Sequence, residues 1–184
     1  KQSYRYGESV TVTATAYAGY NTAIITGYAN LGDATYTDAD TNKKNVSYTF
    51  TMPTENVSLE ATAIANDVKY TVLYEGQTVD GSGYVELAKV ELDAKTGDKV
   101  EVKDFKEFTG FEYTSTLDGN VHEGTVTVDA EEKGNLVLVV RYTRLSYTIT
   151  YVGGDGSTGT APTTKTVKFE SQVTHASNTF KKTG

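Results

Sequence analysis

Apolar and polar residues alternate with a period of two over several stretches of this chain: 10–16, 69–74, 84–92, 99–103, 124–129, 136–142, 147–152 and 165–169. Successive side chains of a β-strand point to opposite faces, so this alternation predicts half-buried strands. Gly, Asp and Asn bound the runs, as turn residues do. Gly76-Gln77-Thr78-Val79-Asp80-Gly81-Ser82-Gly83 reads as a hairpin connection in which Asp80-Gly81 supplies the positive φ. Gly153-Gly154-Asp155-Gly156-Ser157-Thr158-Gly159 holds the equivalent place after 147–152. No window sustains apolar residues at i, i+3, i+4 and i+7 with good caps. Phe105-Lys106-Glu107-Phe108 is the one place where a single helical turn is expected.

One pattern recurs three times: Tyr6-Gly7-Glu8-Ser9-Val10-Thr11-Val12, Thr96-Gly97-Asp98-Lys99-Val100-Glu101-Val102 and Phe169-Glu170-Ser171-Gln172-Val173-Thr174. Each is a turn feeding an alternating strand, and the first two lead to the Gly-aromatic steps Gly19-Tyr20 and Gly110-Phe111. The expected organisation is a first module over 1–66 that lacks its opening hairpin, a second over 67–144, and the start of a third over 145–184. Module one closes after Phe50-Thr51-Met52-Pro53, where Pro53 opens the connection to a last strand. With Lys1 first and the last copy cut short, the chain reads as an excised piece of a longer protein.

Composition narrows the fold class. The chain has 184 residues, room for one or two domains, and much of its apolar content is Val, Ala and Tyr, with no Trp and one Met. Val, Tyr and Thr suit a pleated, half-buried surface, so the reading is all-β, in small β-grasp-like modules in tandem with little helix. Immunoglobulin-like β-sandwich modules are the alternative. Seventeen glycines, two prolines and a charged fraction of 22% are those of a folded protein. A net charge of −7 repels phosphate backbones, so nucleic acid is not an expected partner. Cysteine is absent, which removes disulfides, thiolate metal sites and thiol nucleophiles together. No segment resembles a signal peptide or a membrane span, and no membrane contact is expected within this chain.

The third module carries Tyr147-Thr148-Ile149-Thr150-Tyr151, then Gly154-Asp155-Gly156, then Gly159-Thr160-Ala161-Pro162 and Thr179-Phe180-Lys181-Lys182-Thr183-Gly184. The second has the 80–84 hairpin, Phe108-Thr109-Gly110-Phe111 and a terminal Arg141-Tyr142-Thr143; the first has Phe50-Thr51-Met52-Pro53 and Asn56-Val57-Ser58-Leu59. With these motifs the chain resembles the β repeats of Gram-positive surface proteins, in the internalin B-repeat, Listeria-Bacteroides repeat and MucBP-like group. The resemblance implies a β-grasp-like fold, a place outside the cell wall, and a stalk or adhesion role without catalysis. Such repeats often place a Trp after the Gly-aromatic step, and this sequence has none.

Catalytic chemistry finds little purchase. His122 and His175 are the only histidines, and neither sits in a Ser- or Asp-bearing motif that would activate a nucleophile. The 24 Asp and Glu are scattered over turns and strand faces. Asp38-Ala39-Asp40-Thr41-Asn42 has oxygen ligands at alternate positions, as a calcium loop begins, but Lys43 stands where that loop needs Gly and Thr49 where it needs Glu. No catalytic, cofactor or metal residue is therefore expected, and no cofactor. Tyr70, Tyr74, Tyr142, Tyr147 and Tyr151 fall on alternating runs, where core and rim packing is favoured over a sugar-stacking platform.

The expected function is a non-catalytic tandem repeat segment of a bacterial cell-surface or secreted protein, extracellular and cell wall-associated. It acts as stalk or spacer, with adhesion to host glycoprotein or matrix as an added role. A carbohydrate-binding accessory module of a secreted glycan-degrading enzyme is the alternative. The partners are neighbouring repeats of the same protein and host glycoprotein or glycan. The short tail is expected to be ordered by strand addition, on module two or on module one of a neighbouring molecule.

Overall fold

The computed structural model describes residues 2–40 and 43–182, with side chains at all of these except 22, 38–40, 43 and 44. The fold is all-β, and no helix occurs among the described residues. In chain order the strands are β1 (Ser9–Thr15), β2 (Tyr20–Thr26), β3 (Thr35–Asp40), β4 (Lys43–Thr51), β5 (Glu60–Ala65), β6 (Asp67–Gln77), β7 (Tyr84–Lys95) and β8 (Lys99–Glu101). They continue with β9 (Phe111–Tyr113), β10 (Glu123–Thr125), β11 (Val137–Arg144), β12 (Ser146–Ile149), β13 (Ser157–Thr158), β14 (Lys165–Lys168) and β15 (Lys181–Lys182).

The strands form small sheets: β1-β4-β3, β2-β5, β10-β8, β7-β6-β11-β9, β12-β14 and β13-β15. Two compact units interleave along the chain. One comprises Lys1–Thr71, Glu91–Glu101 and Glu123–Val137; the other comprises Val72–Val90, Val102–His122 and Leu138–Gly184. Each unit thus takes part of residues 67–144.

In the first unit, β1 pairs with β4 so that Val10 faces Phe50 and Ala14 faces Val46. These four join Ala16, Ala23, Ile25 and Leu31 in one core cluster. The opposite face is polar: Thr11 meets Thr49 at 2.9 Å and Thr13 meets Ser47 at 2.9 Å, cross-strand hydroxyl pairs of the kind that stabilise a wetted sheet face. The run Val46, Tyr48, Phe50 carries the period-two signal of β4 in the sequence, broken up by Asn45, Ser47 and Thr49. Strand β2 hides its period in the doublet Ile24-Ile25, and its register against β5 shifts between Tyr20 and Ala23.

In the second unit the alternation of β11 decides the core. Leu138, Val140, Tyr142 and Arg144 are buried while the residues between them are partly exposed. Tyr142 lies edge-on to Phe108 at 5.2 Å and to Tyr113 at 6.0 Å, and Phe105 stacks on Tyr113 at 3.8 Å. This ring cluster is why 105–108 forms no helical turn. Phe105 and Phe108 are held by separate rings, and the Lys106 carbonyl, which a helix would use, accepts the Tyr142 hydroxyl at 2.8 Å.

The hairpin at 76–83 forms as its composition predicts. Gly81 has φ +74°, and the Thr78 N–H donates to the Gly83 carbonyl at 2.9 Å. Asp80 Oδ1 accepts from Thr78 Oγ1 at 2.6 Å, Ser82 N at 3.0 Å and Ser82 Oγ at 2.8 Å. Those donors stabilise the charged carboxylate and hold its pKa down at about 2.

Candidate functional site

The feature that recurs with the sequence repeat is a backbone node. In the first unit, the Asn66 N–H donates to the Gly19 carbonyl at 2.8 Å and the Asn66 carbonyl accepts from the Thr96 N–H at 3.1 Å. In the second unit, the Leu145 N–H donates to the Gly110 carbonyl at 2.9 Å and its carbonyl accepts from the Phe169 N–H at 2.8 Å. Each node joins the end of a closing strand, β5 or β11, to a Gly-aromatic step behind it and a repeated turn ahead of it.

The surroundings of the nodes repeat as well. Tyr20 opposes Ala65 as Phe111 opposes Arg144. The Tyr20 N–H donates to Tyr17 at 3.0 Å as the Phe111 N–H donates to Phe108 at 3.1 Å. The three repeated turns close alike: Glu8 N–H to Arg5, Asp98 N–H to Lys95 and Ser171 N–H to Lys168, at 3.1, 3.0 and 3.0 Å. Their corner residues Gly7, Gly97 and Glu170 have φ of 82°, 89° and 61°. Gly7 and Gly97 then exchange matching bonds with a strand end. The Gly7 N–H donates to Met52 at 2.9 Å and receives the return bond through Glu8 at 2.8 Å; Gly97 and Asp98 do the same with Val126 at 2.8 Å each.

Glycine is required where the step passes under the turn. A Cβ on Gly19 would lie 2.6 Å from Thr96 Cγ2, and one on Gly110 would lie 2.2 Å from the Phe169 ring, with φ of +83° and +80° at the two positions.

The Leu145 node also holds a buried cation. Arg144 is 5% exposed; its Nε donates to the Gln77 carbonyl at 2.7 Å, and one terminal nitrogen donates to the Phe169 carbonyl at 3.2 Å and the Glu170 carboxylate at 2.6 Å. Its guanidinium lies over the Phe111 ring, 4.6 Å from the centroid. A planar fork of donors suits two carbonyls and a carboxylate better than an ammonium would. Arg144 continues the inward register of Leu138, Val140 and Tyr142, and that register is the sequence signal that marks it.

The residues weighed for chemistry do not converge. His122 is half-buried, edge-on to Phe105 at 6.3 Å, and His175 is exposed on the tail. Among the described residues no group of three or more His, Asp or Glu could hold a metal ion. The calcium-loop motif runs from the end of β3 into 41–42, which lie outside the described residues, and the side chains of 38–40 are not described either. Tyr70, Tyr74 and Tyr142 are buried, Tyr147 is exposed and Tyr151 half-exposed. Burial raises the Tyr142 pKa to about 12, with Tyr74 and Tyr113 adding to it.

A cleft of about 340 Å³ beside the ring cluster is lined by residues 105–108, 111–113 and Tyr142. Its rings are occupied with one another. No described helix is long and apolar enough to cross a membrane. Comparison with protein-family models, with curated proteins and with solved structures gave no match.

Proposed function

We infer that the chain is a non-catalytic tandem repeat segment of a bacterial cell-surface or secreted protein, working as stalk or spacer. The observation that carries this reading is the recurrence of one backbone node at Asn66 and at Leu145, with the same donors, acceptors and turn geometry. A joint that recurs bond for bond is what serial modules need, because each copy then meets the next in the same way. On this reading 1–66, 67–144 and 145–184 are successive copies, and each compact unit holds one of the joints between them. Adhesion to glycoprotein or matrix is an added role for exposed faces, and the resemblance to Gram-positive surface repeats supplies the location.

Solution scattering tests the spacer reading directly. A chain in which 67–144 is duplicated should gain one module length in maximum dimension for each added copy. An unchanged dimension rules the reading out. Antibody labelling of intact bacteria that express the parent protein tests location, and labelling only after lysis contradicts it. Saturable glycan binding that shifts the signals of Tyr6, Tyr17 or Tyr36, all exposed, favours the carbohydrate-binding alternative.

A further inference from the structure

The dipeptide Asp-Gly occurs three times, at Asp80-Gly81, Asp118-Gly119 and Asp155-Gly156, and all three lie in the second unit. The step carries its own chemistry. The Gly nitrogen can attack the Asp side-chain carbon Cγ, because a residue without Cβ leaves that nitrogen unhindered. Ring closure needs a carboxyl group able to turn toward the next nitrogen and to take up a proton before its oxygen leaves. It also needs the peptide between the two residues to rotate.

Two of the steps deny those conditions. Asp80 Oδ1 is held by Thr78 Oγ1, Ser82 N and Ser82 Oγ, and Oδ2 accepts from Ser82 Oγ at 2.8 Å as well. These donors favour the anion and fix its direction, and the Gly81 N–H donates to the Thr78 carbonyl at 3.1 Å. At Asp118 the main-chain carbonyl accepts from Arg141 Nη1, and a Cβ on Gly119 would lie 2.0 Å from that nitrogen. The guanidinium is itself fixed, by Glu75 at 2.9 Å and over the Tyr84 ring at 4.1 Å, so the peptide between Asp118 and Gly119 has no room to turn.

The third step meets them. Asp155 and Gly156 are exposed, and among the described residues no hydrogen bond or ion pair reaches the Asp155 carboxylate. A Cβ on Gly154 or on Gly156 would meet nothing within 4 Å, so a ring has space to form. The cause is local. Asp155-Gly156-Ser157 repeats Asp80-Gly81-Ser82, but Gly153 stands where Thr78 supplies its hydroxyl, and the Ser157 N–H donates to the Gly154 carbonyl at 3.0 Å instead of to the carboxylate. We propose that Asp155 is a site of spontaneous covalent modification, turning into isoaspartate through a succinimide, while Asp80 and Asp118 are protected. The Gly156 nitrogen bonds to Cγ of the protonated carboxyl group, and the carboxyl hydroxyl leaves as water with the amide proton. Water then adds back to the ring. Attack at the main-chain carbonyl carbon of Asp155 breaks its bond to the Gly156 nitrogen and leaves the chain running through Cγ; attack at Cγ restores aspartate. The mass is unchanged, and isoaspartate puts one more methylene into the main chain, inside the turn that Ser157 and Gly154 close.

Peptide mapping of the full chain after prolonged incubation in warm neutral buffer tests this, with electron-transfer fragmentation to tell the two forms apart at equal mass. Isoaspartate should accumulate at Asp155 many-fold faster than at Asp80 or Asp118. In the chain unfolded by urea all three steps should convert at similar rates, since the dipeptide is the same. Thr78→Val together with Ser82→Ala removes the side-chain donors of Asp80 and should raise isoaspartate there toward the Asp155 level. A thermal melt that matches the parent chain shows that this variant is folded; Ser82→Ala alone, with a smaller rise at Asp80, serves if it is not. Equal conversion at the three positions of the folded chain, or none at Asp155, would overturn the proposal. So would an unfolded chain that converts at Asp155 alone, or a folded donor variant whose Asp80 stays as inert as the parent's.

Discussion

Around Asn66 the side chains next to the step are small: Ala65 precedes Asn66 and Thr96 covers Gly19, while the Asn66 amide donates to Glu132 at 3.2 Å. Around Leu145 they are large or charged: Arg144 precedes it, and the Phe169 ring covers Gly110 and stands edge-on to Phe111 at 6.0 Å. Yet the backbone bonds of the two nodes agree within a few tenths of an ångström. Main-chain donors and acceptors are the same for every residue, so a node built from them survives replacement of all its side chains. What differs is where the stability is concentrated. At Leu145 one guanidinium satisfies two carbonyls and a carboxylate; at Asn66 no single side chain has that share.

Glycine substitutions strike the shared part, and the one at Gly110 should have the largest effect. Gly110→Ala places a methyl against the Phe169 ring at a positive φ, and a loss of about 3 kcal/mol or more in urea unfolding is expected. Gly19→Ala meets a threonine that can rotate away, so a loss of roughly 1–2 kcal/mol is expected. Equal losses at the two positions would mean that the covering side chain is irrelevant to the node.

Arg144→Met should cost about 2–4 kcal/mol, because it leaves the Gln77 and Phe169 carbonyls without their donor. Glu170→Gln should cost under about 1 kcal/mol, since that carboxylate is 61% exposed and an ion pair in water is weak. A denaturant series on both variants checks the ratio, and a Glu170 effect as large as the Arg144 effect breaks the assignment. Glu170→Gly should be close to neutral. It relieves the positive φ that Gly7 and Gly97 accommodate freely, about 1 kcal/mol, and gives up the exposed ion pair.

The smallest effect lies away from both nodes, at Asp80. Its pKa is depressed from 3.8 to about 2, so its contribution is present above the unfolded value and is lost as pH falls through the folded one. An NMR titration should place the carboxyl midpoint near 2, with the Ser82 amide shifting alongside it. Asp80→Asn should abolish that pH dependence of the hairpin while leaving the node bonds unchanged.

Much of the strand content was legible in the chain. The runs at 10–16, 69–74, 84–92 and 147–152 fall on β1, β6, β7 and β12, and Asp80-Gly81 marks its turn. Strand β2 was harder, because the Ile24-Ile25 doublet and the register shift between Tyr20 and Ala23 break the period of two. The helical turn at 105–108 fails because the ring partners of Phe105 and Phe108 come from elsewhere in the chain. The repeated turns were visible as motifs. That Asn66 and Leu145 are equivalent was not, since their side chains share nothing and their equivalence lies in the bonds of N–H and C=O.

The sequence by itself determined that this is an all-β protein with three copies of one turn, because period two and glycine placement act through local sterics that each segment carries with it. Only the tertiary structure decided that β1 pairs with β4, β2 with β5 and β11 with β6. Alternation tells a strand which face to bury but not which neighbour to bond, and that choice rests on contacts between residues far apart in the chain.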